Sequence, residues 1–172
     1  VKTVILGERP PELTELIERR RRLGLDLHDE VWEGSYHMAP AASARHAYLD
    51  QVIAELIGPL ARRAGLVVTG EFNLGEPDDF RVPDRGVHRR LPRGVWLDQA
   101  LMVVEILSLD DETVDKLPFY GNHGVEEVLL VDADARLVRV LRRDGGGYIE
   151  APASEVLGVS VAELTACVDW PE

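Results

Sequence analysis

Residues 100–107 read Ala100-Leu101-Met102-Val103-Val104-Glu105-Ile106-Leu107, a single carboxylate inside an otherwise apolar run. A near-continuous apolar segment of this length predicts a strand buried on both faces, as in the interior of an α/β sheet. Glu105 breaks the pattern. A carboxylate in such a strand costs several kcal/mol unless it is paired or bound to metal. Strand alternation puts it on the face shared with Val103 and Leu107.

The segments on either side support that reading. Downstream, residues 113–122 predict a short helix, with Gly121 and Gly124 as terminators. Residues 125–132 and 137–142 predict strands joined by a turn. A flexible turn at 144–147 precedes a last strand at 148–151, and 161–166 predicts a closing helix. Upstream, 80–88 is a strand candidate interrupted by Pro83, which implies an edge, a bulge or a strand end. Residues 66–74 are rich in Val and Thr and β-like. Residues 44–64 predict a long helix with Leu49, Tyr48, Val52, Ile53, Leu56, Ile57 and Leu60 on a broad apolar face. Ser43 is its N-cap and Gly65 its end. Two extended pieces surround Gly34 in 31–38, and Leu13, Leu16, Ile17 and Leu23 space a first helix over 11–23. Its Arg19–Arg22 run reads as a solvated helix end, favoured by the dipole there. The order predicts a mixed α/β sheet with a helix crossing between strands.

A chain of 172 residues suffices for one domain with a real core. We divide it into an N-terminal helical extension (1–28), a core (29–150) and a C-terminal tail (151–172). With 45% hydrophobic and 29% charged residues, the composition is globular rather than disordered. The apolar runs fall far short of the roughly 20 residues of a membrane span, and the start shows no secretory pattern. A cytoplasmic protein without a membrane partner is expected. The single cysteine, Cys167, cannot form an internal disulfide or a Cys-rich zinc site and reads as a small apolar filler. The formal net charge of −12 lacks the global basic signature of a non-specific nucleic-acid binder. Any DNA contact must then be local, or bound metal must offset part of the acidity.

Asp84 follows Pro83 where a strand should bend or end. Asp84 and Glu105 on adjacent strands would supply two hard oxygen ligands for Mg²⁺, with Mn²⁺ as a substitute. Waters, the Ile106 backbone carbonyl and a substrate phosphate would complete the shell. Lys116 lies on the helix after the Glu105 strand, where an ammonium can orient water or offset phosphate charge. Glu112 lies four residues earlier, on the same side of that helix. Each has a plainer reading: a turn acid, a core salt bridge, and a solvated lysine paired with Glu112. Arg81, Arg85, Arg89, Arg90 and Arg93, with His88, are expected to cluster around Asp84 as a local phosphate-binding patch, or as a charged edge strand. Trp32 and Trp96 suit base stacking or packing, and Trp170 an anchor for the tail. No dinucleotide fingerprint, P-loop or nucleophile elbow is present.

Taken in order, Val82-Pro83-Asp84, Val103-Val104-Glu105-Ile106-Leu107-Ser108, Asp111-Glu112-Thr113, Asp115-Lys116-Leu117-Pro118-Phe119-Tyr120, Gly124-Val125 and Val131-Asp132 resemble the Uma-two-type restriction endonuclease family. That family belongs to the PD-(D/E)xK nuclease superfamily. The resemblance covers roughly residues 29–150. It implies a restriction-endonuclease-like core, a mixed central sheet flanked by helices. It implies that Asp84 and Glu105 are metal ligands. The superfamily's lysine stands two residues after the acid, where this chain has Leu107; the resemblance implies that Lys116 takes its place. His46 matches a family position as an auxiliary catalytic residue. Glu33 matches an acid less closely, and Glu55 corresponds to an accessory acid of some members. The implied activity is metal-dependent hydrolysis of DNA phosphodiesters, carried out by a homodimer. The alternatives are a catalytically silent interaction module of the same fold and a metal-bound structural homodimer.

Overall fold

A computed structural model describes residues 3–5, 11–108 and 112–171; Asp111, part of the resemblance, lies outside them. The chain begins with β1 (Thr3–Ile5), α1 (Pro11–Arg22), β2 (Glu30–Trp32) and β3 (Ser35–Met38). The long helix α2 (Ala44–Arg63) follows. Then come β4 (Val67–Thr69), β5 (Asn73–Glu76), β6 (Asp79–Arg81), β7 (Arg85–His88), β8 (Trp96–Leu97) and β9 (Met102–Ile106). The last part is α3 (Thr113–Asn122), β10 (Glu127–Asp132), β11 (Leu137–Asp144), β12 (Gly147–Ala151), β13 (Ala153–Ser154), β14 (Val159–Ser160) and α4 (Val161–Cys167).

The larger core is built on a sheet of order β12-β11-β10-β9-β7-β4. At its centre β9 runs parallel to β10, with Glu105 opposite Leu130, and antiparallel to β7, with Val104 opposite Arg85. Parallel neighbours require a crossover, and α3 supplies it. All five residues of β9 are buried, as its apolar run demands. Alternation divides them between two cores. Met102, Val104 and Ile106 pack with Leu49, Ile53, Ile57 and Ala61 of α2. Val103 packs with Phe119 and Tyr120 of α3 and with Leu74. Glu105 shares the Val103 face and therefore meets α3.

A second sheet, of order β1-β3-β2-β6-β5-β8, backs α3. The helix α1 closes a small core on it through Ile17, with Val31, Tyr36 and Phe80. The strand candidate 80–88 resolves into β6 and β7, which belong to different sheets. Pro83 lies at this transfer, where its missing N–H costs no ladder bond. The candidate 66–74 divides in the same way into β4 and β5. The N-terminal extension is part of the sheet, since β1 pairs with β3. Cys167 is exposed, not the apolar filler expected of it. Leu16 and Leu23, expected on the apolar face of α1, are exposed too. About three turns of helix need only a narrow stripe against a small sheet, and Leu13 and Ile17 provide it.

Gly75 is the tightest backbone position beside α3. Its φ is +114°, and a Cβ there would lie 2.4 Å from the Asp79 carbonyl oxygen and 2.8 Å from the Phe119 ring. Gly75→Ala is expected to destabilise the protein by about 1–3 kcal/mol from backbone strain alone. Urea unfolding followed by circular dichroism checks this.

Candidate active site

Asp84 is held from two sides. Its Oδ2 accepts the Ile106 N–H at 2.7 Å. Its Oδ1 lies 2.8 Å from His46 Nε2. His46 stands in the first turn of α2, where its own N–H donates to the Ser43 Oγ cap at 3.2 Å. The N-cap that starts the helix thus also delivers His46 to Asp84. The hydrogen bond to Asp84 raises the His46 pKa, against the opposing effect of burial. A strand residue offers its N–H and C=O to the same neighbour, so the Ile106 carbonyl lies on the Asp84 side of β9.

Glu105 is 5% exposed. Its Oε1 accepts from Lys116 Nζ at 3.2 Å and from the Tyr120 hydroxyl. Burial pushes its pKa up to about 7; Lys116 opposes this, while Asp84 and Glu30 add to it. Lys116 is equally buried. Burial alone would lower its pKa, but attraction to Glu105 and Glu30 outweighs that and holds it above the usual lysine range. Burial and the charge of Glu105 also raise Tyr120. The plainer alternative for Lys116, a solvated lysine paired with Glu112, does not hold. Lys116 turns inward on α3, and Glu112 lies 3.6 Å from His37.

Glu30 is the acid that the sequence reading missed. It is 3% exposed, and its Oε1 lies 2.9 Å from Lys116 Nζ. The same oxygen accepts the Val82 N–H at 2.8 Å, two residues before Asp84, and Oε2 accepts from Trp32 Nε1 at 2.7 Å. The available signal was the pair Asp29-Glu30 opening an extended segment, since two adjacent acids at a strand start need partners when both are buried. The acid favoured instead, Glu33, is exposed in the β2–β3 turn at φ 48°, where its N–H bonds Asp79. Glu55 is exposed and bonded by Gln51. Neither reaches the site.

The structure does not gather the arginines around Asp84. Arg81 is buried, donates to the Val31 carbonyl at 2.9 Å and lies over the Trp32 and Phe119 rings. Arg85 is bound to Asp50 at 2.6 Å. Arg89 and Arg90 stand beyond the opposite end of β7 beside a separate cleft that also contains Trp96, and Arg89 pairs with Glu126 at 3.3 Å. Strand geometry explains the scatter. Alternate residues face opposite sides, and five residues of strand span about 16 Å. Trp32 stacks on His37 and is thereby committed to packing.

Glu30, His46, Asp84, Glu105 and Lys116 line one cleft of about 660 Å³, with segment 39–43, which leads into α2, on one wall. Among the described residues, no three His, Cys, Asp or Glu side chains are spaced to cage a metal ion by themselves. Two carboxylates and a carbonyl on adjacent strands still suit Mg²⁺, which keeps several waters. Three carboxylates face one lysine here, and Glu105 Oε2 accepts no hydrogen bond among the described residues. The residues therefore fit a divalent cation.

A sheet with a central parallel pair, a crossover helix, and acids on adjacent strands facing a buried lysine defines a restriction-endonuclease-like α/β protein. The crystal structure of a putative nuclease belonging to DUF820 from Anabaena variabilis has this fold. It matches with a TM-score of 0.63 at 20% identity, over 81% of this chain and 90% of that one. The family model of Uma2, described as "Putative restriction endonuclease", matches residues 12–166, and the chain belongs to that family. No curated protein matches it in sequence. No helix among the described residues is long and apolar enough to cross a membrane.

The raised pKa of Glu105 sets a pH dependence for metal-free protein. The unfolded carboxyl ionises near 4.5, the folded one near 7. Between these values the folded state binds more protons, so this group's stability contribution is full below 4.5 and is lost as pH rises through 7. In chelator, Glu105→Gln is expected to flatten that decline, as read from melting temperatures across the window.

Proposed function

We propose that this protein is a metal-dependent endonuclease that hydrolyses phosphodiester bonds in DNA. The observation that supports it most is that Asp84, immediately before β7, and Glu105, on the adjacent strand β9, line one cleft. Asp84, Glu105 and the Ile106 carbonyl would hold Mg²⁺, with Mn²⁺ as a substitute. A divalent cation bound there supplies a more acidic water and charge against a phosphate oxygen. The chain's own residues do the positioning. His46 orients the Asp84 carboxylate through Oδ1, and the Ile106 N–H fixes Oδ2. Lys116, ammonium-charged between two carboxylates, presents a fixed positive group toward the cleft, suited to a phosphate or to the attacking water. Leu107 occupies the superfamily's lysine position, and Lys116 takes over from the neighbouring helix. Of the expected arginines, the exposed Arg89, Arg90 and Arg93 are the ones left to meet a phosphate backbone, away from the reacting group.

Linear, supercoiled and single-stranded DNA should be offered to the pure protein with Mg²⁺, Mn²⁺ or EDTA. Cleavage is expected only with metal. Asp84→Ala should abolish it, and Lys116→Ala should slow it by about 10²-fold or more, the scale of losing one preorganised electrostatic donor. Cleavage in EDTA, or full activity in Asp84→Ala, would sink the reading.

A homodimer suits the cutting of two strands, and we propose one. Size-exclusion chromatography with light scattering should give twice the 19.1 kDa chain mass. A monomer at high concentration would remove this part of the proposal.

A further inference from the structure

The buried cluster contains one relationship that the cleavage scheme does not use. Lys116 Nζ lies between two carboxylates, 2.9 Å from Glu30 and 3.2 Å from Glu105. Both are anchored without it: Glu30 by the Val82 N–H and Trp32 Nε1, Glu105 by the Tyr120 hydroxyl. Trp32 is itself fixed by stacking on His37, with ring centroids 4.2 Å apart. Lys116 therefore has two fixed, competing partners, and the closer one lies outside the Asp84–Glu105 pair.

We propose that Glu30 is a positioning residue that draws Lys116 away from Glu105 and so keeps Glu105 available to a divalent cation. This rests on the metal-binding part of the reading above and not on cleavage. The charge arithmetic gives the reason. Glu30 and Lys116 cancel, and Asp84, with His46 beside it, and Glu105 remain to meet the divalent ion. Without the Glu30 charge, Lys116 would pair with Glu105 alone and compete with the metal for it. A buried ammonium does not stay unpaired, because the cost of isolating it in the interior exceeds the cost of a shift of a few tenths of an ångström. Glu30 thus acts on the cation through Lys116 and does not touch it.

The relationship predicts a reversal that a purely structural role does not. Mn²⁺ binding is measured by calorimetry on chelator-treated protein, with melting curves to verify folding and Asp84→Ala as the site control. Glu30→Gln is expected to weaken Mn²⁺ by about tenfold or more, the scale seen for outer-shell partners of metal ligands. Adding Lys116→Met to that variant should restore affinity toward wild type, since the competing cation is gone. Lys116→Met alone should bind Mn²⁺ more tightly than wild type while cleaving DNA more slowly. If Glu30→Gln fails to fold, this single variant still decides the matter: unchanged or weaker binding overturns the proposal. A double variant that binds no better than Glu30→Gln also overturns it. Wild-type protein that binds no Mn²⁺ sinks both this and the nuclease reading. The expected reversal in a protein that cuts no DNA would sink the nuclease reading and leave this one standing.

Discussion

The buried ammonium of Lys116 joins the two sheets. It sits on α3, between Glu30 of one sheet and Glu105 of the other. Removing Lys116 would leave two carboxylates facing each other in the interior without their cation, a loss of several kcal/mol in comparable cases. Such a cluster is a poor way to gain stability, because an apolar replacement of the same shape often does as well. The three groups are buried yet line the cleft, which is why the proposed function is placed there. The rest of the architecture follows from it: α3 must cross between β9 and β10 at the height of Glu105, and β2 must reach α3 from the opposite side.

Asp84 depends on the same arrangement indirectly. The Val82-Pro83-Asp84 segment passes from one sheet to the other, and each end of it is held. Glu30 takes the Val82 N–H, and Asp84 takes the Ile106 N–H. The helix α2 closes the site with its first turn, its Ser43 cap and His46. Packing of α2 on Met102, Val104 and Ile106 thus determines where His46 stands. Acidic excess in the cleft suits a divalent cation and opposes an unaccompanied polyanion. The net charge of −12 acts in the same direction at long range, although salt screens it beyond about 8 Å at physiological strength.

Much of this was legible in the residues. The helix at 113–122, the buried strand around Glu105, the Ser43 cap and the break at Pro83 all follow from local rules of periodicity, capping and proline geometry. The family resemblance also reads correctly, since its motifs are short and ordered along the chain. The errors share one origin. Arg81 looked like a surface cation beside Asp84, yet its planar guanidinium is buried between Trp32 and Phe119. The partner that Glu112 offered Lys116 along the helix is not the one it takes, for it turns to Glu30, 86 residues earlier in the chain. Glu33 looked like the acid of its segment, yet it lies three positions beyond Glu30, in the turn after β2, and is exposed.

By itself the sequence determined the element types, the burial of β9, the anomaly at Glu105 and the family. These depend on patterns within one helix turn or one strand, where neighbours in the chain are neighbours in space. Only the tertiary structure decided which acid meets Lys116, which arginines remain at the surface and which cleft holds the carboxylates. Those are pairings between segments brought together by the two sheets, and a buried charge selects its partner by distance in the folded core, which no local spacing encodes.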